Sequence, residues 1–374
     1  MSYHSSFQDL PSIPEKTDAG FESLAAVADG IEYKRLLELL DPQPSRWTLE
    51  VVYETGSTNA DLAAWLKSAR WIPFDPRVRV AYSQTAGRGR HSRPWLSTPG
   101  NALLFSLAHL IPRTPNRLSG LSLAVGATIV EGLRTLPLDD NRQILIKWPN
   151  DILLDGEKLA GVLVETVWST QDATALVVGV GLNINSADSL VKQIESSHEI
   201  LRAASPLMPS ALSSAWPHVA LTPVLGAVLN ALAVGLERFG QHGFEPFRNT
   251  WISVNAYVGQ EVVIFGHRGE VARGIVYGVD EKGQLLIRTP QEIRAIATGD
   301  VSLRLSENIP TSAKPVSSAF SYEERLNKLS IANTSVIKRY LPNCLPGIRL
   351  DPTHPSPRSS SSSTQPAAEC SHKQ

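Results

Sequence analysis

Residues 83–95 read SQTAGRGRHSRPW and set Arg88, Arg90, His91 and Arg93 around Gly87 and Gly89, ahead of Trp95. Two glycines let a backbone bend sharply and bring its N–H groups close to a ligand. Arginines fork onto the oxygens of a phosphate or a carboxylate. The preceding RVRVAYSQ alternates like a strand, so the basic stretch is a loop at a strand end, where ligand-binding loops are common. It is neither of the familiar phosphate loops: there is no GxxxxGK[ST], and GRGRHS lacks the third glycine of GxGxxG. Taken alone, the loop reads equally well as a solvated basic turn.

Three further stretches carry residues of the same kind. KWPND (147–151) places Lys147, Asn150 and Asp151 around a Trp-Pro step, a set suited to phosphate and Mg²⁺ or simply to the charged end of a strand. DGEKLAG (155–161) turns at Asp155-Gly156 and returns with Lys158 ahead of an apolar run. There a lysine either snorkels to solvent or aims into a pocket, and Gly161 leaves room for a ligand against the strand. In VVGVGLNIN, Gly179, Gly181 and Asn183 share one strand face, either as a bare pocket floor or as a β-bulge.

The elements that must position these residues follow from periodicity. RWTLEVVYE and NALLFSLAHLI are strands, and STNADLAAWLKSA starts a helix with Thr58 as cap and Asp61 three residues on. Leu118, Leu121, Val125, Ile129 and Leu133 mark a second helix, with Ser119 near its start. QILIKWPNDILLDGEKLAGVLVETVW reads as strand, Asp-Gly turn, strand. TPVLGAVLNALAVGLERFG is a helix with Thr222 as cap, Pro223 at its first position and Gly240 just past its end. Residues 21–41 predict one or two short helices, and 186–215 a Ser-rich insertion. Residues 256–305 become short strands with turns at His267-Arg268-Gly269, Lys282-Gly283 and Gly299-Asp300, the pattern of a small SH3-like barrel.

The domain boundaries expected are an N-terminal extension (1–45, disordered over 1–20), a catalytic domain (46–255), the small barrel (256–305) and a disordered Ser/Pro-rich tail (306–374). A net charge of −1 excludes a global nucleic-acid-binding field, so any basic site is local. The two cysteines, Cys344 and Cys370, lie in the tail and make neither a disulfide framework nor a metal spacing, as in a reducing compartment. The N-terminus has no signal-peptide pattern, and the apolar stretches near 101–111 and 223–236 are too short or too interrupted to span a bilayer. A cytoplasmic protein with no membrane and no DNA partner is expected.

Together, STN (57–59), QTAGRGRHSRPW (84–95), GNALLFS (100–106), KWPND, KLAGVLVE (158–165), GVGLNIN (179–185) and GDVSLR (299–304) resemble the biotin protein ligase family, in the form without its N-terminal DNA-binding domain. The resemblance covers residues 46 to 305. It implies an α/β catalytic domain with a mixed sheet, biotin–lipoate ligase-like and class II synthetase-like, plus the SH3-like barrel. It implies that ATP, Mg²⁺ and biotin give biotinyl-5′-adenylate, and that the biotinyl group passes to a lysine of the biotin carboxyl carrier protein of acetyl-CoA carboxylase. A homodimer through a sheet edge is compatible with it.

Carried over by position, Lys158, Arg90 and Arg88 are catalytic. Ser57, Thr58, Asn59, Gln84, Gly87, Arg88, Lys158, Gly161 and Gly179 bind biotin. Arg90, Arg93, Trp95, Lys147, Asn150, Gly181 and Asn183 face the nucleotide, and Asp151 the metal. The family loop often carries Arg-Gly-Arg-x-Trp after GRGR. Here His91-Ser92-Arg93-Pro94-Trp95 replaces it, which should stiffen the loop's second half. A lipoate or octanoate ligase on the same fold, and a biotin-sensing regulator, are the competing readings.

Overall fold

The computed structural model describes residues 30–69, 74–188, 190–192, 207–266, 269–297 and 302–306, all within one compact unit that runs from Met1 to Lys328. The expectations for residues 1–29, half of the 186–215 insertion, two of the barrel turns, both cysteines and the tail fall outside the described residues.

A seven-stranded sheet carries the pocket. Its strands are β1 (Thr48–Thr55), β2 (Arg77–Gln84), β3 (Ala102–Ile111), β4 (Ile144–Lys147), β5 (Asp151–Leu154), β6 (Glu157–Ser169) and β7 (Thr174–Asn183), in the order β1-β2-β3-β7-β6-β5-β4. β1 and β2 are parallel and every other neighbour is antiparallel, so the sheet is mixed. The central strand β7 is buried on both faces, and its residues sort by parity. Leu176, Val178, Val180 and Leu182 join the main core. Ala175 and Val177 pack in a smaller cluster with Leu62 and Leu66 of helix α2 (Thr58–Ser68). Gly179 and Gly181 continue that second face toward the pocket.

The main core is closed by α3 (Leu121–Leu133) and α4 (Leu221–His242), which pack on each other, while α1 (Tyr33–Leu39) rests on α4. α3 buries nearly its whole circumference, as its all-round apolar sequence requires. α4 is long and apolar enough to cross a membrane by length, yet most of its apolar side chains are spent on this core. Residues 30–41 are tied into the domain as well. The Ile31 N–H donates to the Tyr82 hydroxyl at 2.7 Å, the Glu32 N–H to Thr222 Oγ1 at 2.9 Å, and Leu36 is fully buried.

Several local expectations are corrected. Ser57, not Thr58, caps α2: its hydroxyl accepts from Ala60 N–H. Asp61 accepts from the Thr55 hydroxyl and from Arg79 Nε, each at 2.7 Å, which pins α2 to β1 and β2. Lys147 to Asp151 is itself a tight turn, so the expected two-stranded hairpin is three strands, with Pro149 between β4 and β5. α4 begins before Thr222, whose hydroxyl is taken by Glu32, and runs through Gly240 to a C-cap at Gly243 with φ 73°.

After α5 (Arg248–Ser253), the strands β8 (Glu261–Gly266), β9 (Gly269–Val279), β10 (Leu285–Arg288), β11 (Ile293–Ile296) and β12 (Ser302–Leu305) form an antiparallel sheet, β11-β10-β9-β8-β12. This is the expected SH3-like region; among the described residues no pairing joins β11 to β12. Its Lys282-Gly283 turn packs against the start of α3 and the β4–β5 turn. The Ser119 hydroxyl donates to Lys282 O at 2.6 Å and Trp148 Nε1 donates to Gly283 O at 3.2 Å.

Candidate active site

One pocket lies on the second face of the sheet, between the start of α2, the basic loop and the β4–β6 hairpins. Its floor is Gly161 of β6 and Gly179 and Gly181 of β7. Each is required by close approach. A Cβ on Gly179 would collide with the Asn59 amide, and one on Gly181 would stand 2.5 Å from the Trp95 ring. A Cβ on Gly161 would meet the same ring at 2.9 Å.

At the α2 end the pocket is neutral and tightly hydrogen-bonded. Gln84 Oε1 accepts from the Thr58 N–H at 2.8 Å. The Thr58 and Ser106 hydroxyls are 2.7 Å apart, the Ser106 hydroxyl donates to Asn59 Oδ1 at 2.6 Å, and Asn59 Nδ2 donates to Glu165 Oε2 at 2.6 Å. Thr58, Asn59 and Ser106 are all buried.

At the other end the pocket is cationic. Arg88, Arg90, Arg93, Lys147 and Lys158 line it, against a single carboxylate, Asp151. Lys158 Nζ meets Asp151 Oδ1 at 2.8 Å and stands 5.4 Å from the centre of the Trp95 ring. Lys147 stands opposite Asp151 in the antiparallel register of β4 and β5. Burial by itself would raise the Asp151 carboxyl, but the charges of Lys158, Lys147 and Arg90 and the Lys158 hydrogen bond outweigh it and hold the carboxyl below its ordinary range. Burial lowers the Lys147 ammonium; Asp151 opposes this, while Lys158, Arg304 and Arg93 add to it. Tyr257 is pushed up to about 12 by burial and by the Asp151 charge.

The basic loop folds back on itself. Gly89 N–H donates to Arg93 O and Trp95 N–H to Gly87 O, and Arg88 bridges Pro94. Its tip places His91 and Ser92 both at φ 56°, the left-handed region that glycine enters freely and other residues enter at a cost of about 1 kcal/mol or more. The replacement of glycine noted in the sequence therefore falls where the backbone turns left-handed.

Of the residues assigned a site role from sequence, fifteen line this one pocket: Ser57, Thr58, Asn59, Gln84, Arg88, Arg90, Arg93, Trp95, Lys147, Asn150, Asp151, Lys158, Gly161, Gly179 and Gly181. Gly87 lies just behind it, with the Gln84 amide and Trp95 within 3.4 Å of where its Cβ would be. Asn183 is not in the lining; its Nδ2 donates to Lys158 O and Ser210 O and ties the start of β6 to residues 207–210. Asn150 Nδ2 likewise donates to Val162 O and holds the turn to β6.

Sequence reasoning missed Ser106, Glu165 and Leu303. Ser106 is the lone hydroxyl in an apolar strand run, and Glu165 shares the strand parity of Gly161, so both left a signal. Leu303, from β12, lines the pocket from the second sheet and left none.

Residues 52–183 match the model of the biotin/lipoate A/B protein ligase family, and residues 257–304 match the biotin protein ligase C-terminal domain. The chain is 30% identical over 253 residues to the biotin–[acetyl-CoA-carboxylase] ligase of Paracoccus denitrificans, covering 66% of this chain and 97% of that protein. It is 31% identical over 228 residues to the bifunctional ligase/repressor BirA of Escherichia coli, covering 61% of this chain and 66% of that protein's length. Among solved structures, the biotin protein ligase of Aquifex aeolicus in complex with biotin and ATP is similar at a TM-score of 0.54 and 30% identity, over 69% of this chain and 99% of that one. The chain belongs to the biotin protein ligase family.

Proposed function

We propose that the protein is an ATP-dependent biotin protein ligase acting on the biotin carboxyl carrier domain of acetyl-CoA carboxylase in the cytoplasm. The observation that carries this reading is the polarity of the pocket. A neutral, buried, hydrogen-bonding end suits a small polar ring, and five cations against one carboxylate at the other end suit a carboxylate beside a triphosphate. Two like charges ~4 Å apart repel by about 4 kcal/mol at an effective dielectric of roughly 20, so bringing those two anions together needs this excess of positive charge.

In the first step an oxygen of the biotin carboxylate attacks the α-phosphorus of ATP. The new O–P bond forms as the bond to pyrophosphate breaks. Lys158, on the lip of β6 beside the Gly161 floor, holds the carboxylate and balances the charge that builds on the phosphoryl oxygens. Arg88 and Arg90 clamp the same oxygens from the loop. Arg93, Lys147 and Asn150 face the phosphates, and Trp95 covers the site. In the second step a neutral lysine amine of the carrier attacks the acyl carbon. AMP leaves with the bonding pair, and the amine proton passes to solvent.

Magnesium enters with ATP as part of the substrate. Asp151 is the carboxylate available to it, but Lys158 and Lys147 already flank that group, and among the described residues no cluster of three metal-ligating side chains exists. A resident metal cage does not fit here; phosphate oxygens would supply most ligands.

The test is to incubate the protein with MgATP, a biotin carboxyl carrier domain and either biotin or lipoate, following pyrophosphate release and the intact mass of the carrier. Biotin-dependent release with a biotinyl mass gain is expected. Modification with lipoate alone would overturn the substrate while keeping the fold.

A further inference from the structure

The hydrogen-bond chain at the neutral end begins on a group outside the pocket lining. Glu165 sits on β6 four residues beyond Gly161, on the same strand face, and its Oε2 is 2.6 Å from Asn59 Nδ2. A carboxylate accepts and never donates. It therefore forces Asn59 to turn its NH₂ toward β6 and its Oδ1 toward β3. Ser106, fully buried, must then give its one hydroxyl proton to Asn59 Oδ1 at 2.6 Å. With that proton committed, Ser106 Oγ can only accept from Thr58, 2.7 Å away. The alternative use of the Thr58 proton, on Gln84 Oε1, is longer at 3.2 Å.

Each link follows from the one before, and the direction of the whole chain is set at Glu165. The outcome lies in the pocket. Thr58 lines the cavity, and with its hydroxyl proton turned to Ser106 its Oγ1 is left as an acceptor. Gln84, its Oε1 held by the Thr58 N–H, presents its NH₂ as a donor. A cyclic urea offers N–H donors and a carbonyl acceptor and matches this pair, whereas a dithiolane offers neither.

We infer that Glu165 is a positioning residue which, acting through Asn59 and Ser106, sets the donor–acceptor direction of the ring-binding end and so selects a ureido ring over an apolar one. The inference rests on the biotin ligase reading. Nothing in it requires Glu165 to touch the substrate.

The experiment titrates biotin into the full chain by calorimetry, and measures the KM for ATP at saturating biotin and the melting temperature. It compares wild type, Glu165→Gln, Ser106→Ala and a double exchange that combines Asn59→Asp with Glu165→Gln. A glutamine side chain on β6 can either donate or accept, so the chain loses its fixed direction. The biotin Kd should rise about tenfold or more, the worth of roughly one buried hydrogen bond, while the KM for ATP stays within about twofold. Ser106→Ala breaks the chain one link nearer the pocket and should act the same way, which keeps the test open should Glu165→Gln fail to fold. The double exchange restores an acceptor-only oxygen opposite Ser106, with the new amide on β6 donating to the new carboxylate on α2, and should recover most of the affinity.

A wild-type protein that does not bind biotin overturns the ligase reading and this inference with it. Wild-type affinity in Glu165→Gln overturns the inference alone. So does a loss spread equally over biotin, ATP and melting temperature that the double exchange fails to repair, since that marks a structural role only.

Discussion

At the α2 end of the pocket Thr58, Asn59 and Ser106 are 3%, 4% and 0% exposed, and their polar contacts end on other fixed groups. At the β4–β6 end the Lys158 and Asp151 side chains are 32% and 20% exposed, and the loop that supplies three arginines is held by a few backbone bonds about a left-handed tip. The first end is ordered by short-range contacts, which fail over a few tenths of an ångström. The second works through charge, whose pull declines only as the inverse of distance, so longer and more mobile side chains serve it. A rigid end that reads shape and hydrogen-bond direction is thus joined to a compliant end that gathers charge.

The largest effect should come from removing charge at the compliant end. Lys158→Ala takes away the one cation that bridges the Gly161 floor and Asp151, and should lower biotin-dependent pyrophosphate release by ~10²–10³-fold, the usual cost of losing a group that stabilises developing charge. The biotin Kd should move far less. A rate near wild type would show that the arginines alone carry the charge, and would erase the distinction drawn for Lys158.

Next in size is a pair of methyl groups added to the floor. In Gly179→Ala the new Cβ collides with Asn59 and should weaken biotin, through a strain of about 1–3 kcal/mol. In Gly181→Ala it displaces the Trp95 ring and should raise the KM for ATP instead. Calorimetry with biotin and steady-state kinetics in ATP separate the two. Equal effects on both ligands would mean the two ends are mechanically one.

The smallest effect on the site itself comes from acid, which should act on the scaffold first. Burial holds His109, on β3, at about 4 against an ordinary 6.5. The unfolded chain then takes the proton more readily, so this contribution to stability is complete above about 6.5, is lost as pH falls from there to about 4, and amounts to no more than roughly 3 kcal/mol. Asp151 is depressed, so its contribution is complete above the ordinary carboxylate value and is lost only as pH falls from there through its folded one. Denaturant unfolding between pH 7 and pH 4 should therefore decline in wild type and flatten in His109→Phe. An unchanged slope in the variant would place the acid sensitivity elsewhere, the charged end included.

Much of the site could be read from residue types and spacing, because its parts lie in short continuous segments. Gly179 and Gly181 declare a bare strand face by parity alone, and the arginines and glycines of residues 87–93 declare a loop that meets anions. The helix limits were less legible. Ser57 and Thr58 are both capping types, and in the structure Ser57 caps while Ser106 and Gln84 engage Thr58. The turn at 147–151 was hidden because Trp148 and Pro149 sit in it, and Trp148 is a core residue that reaches Gly283 of the second sheet.

By itself, then, the sequence determined the strand and helix periodicities, the face on which the floor glycines lie, the local charge of the loop and the family to which these segments belong. Those properties are set within a few residues, by sterics and by the alternation of side chains. Only the tertiary structure decided that Glu165 directs Asn59, that Ser106 joins them, that Asn183 ties strand to loop and leaves the pocket, and that Leu303 closes the cavity from another sheet. Each of these depends on an atom brought close by a segment far along the chain, and hydrogen bonds and packing act only over that last few ångströms.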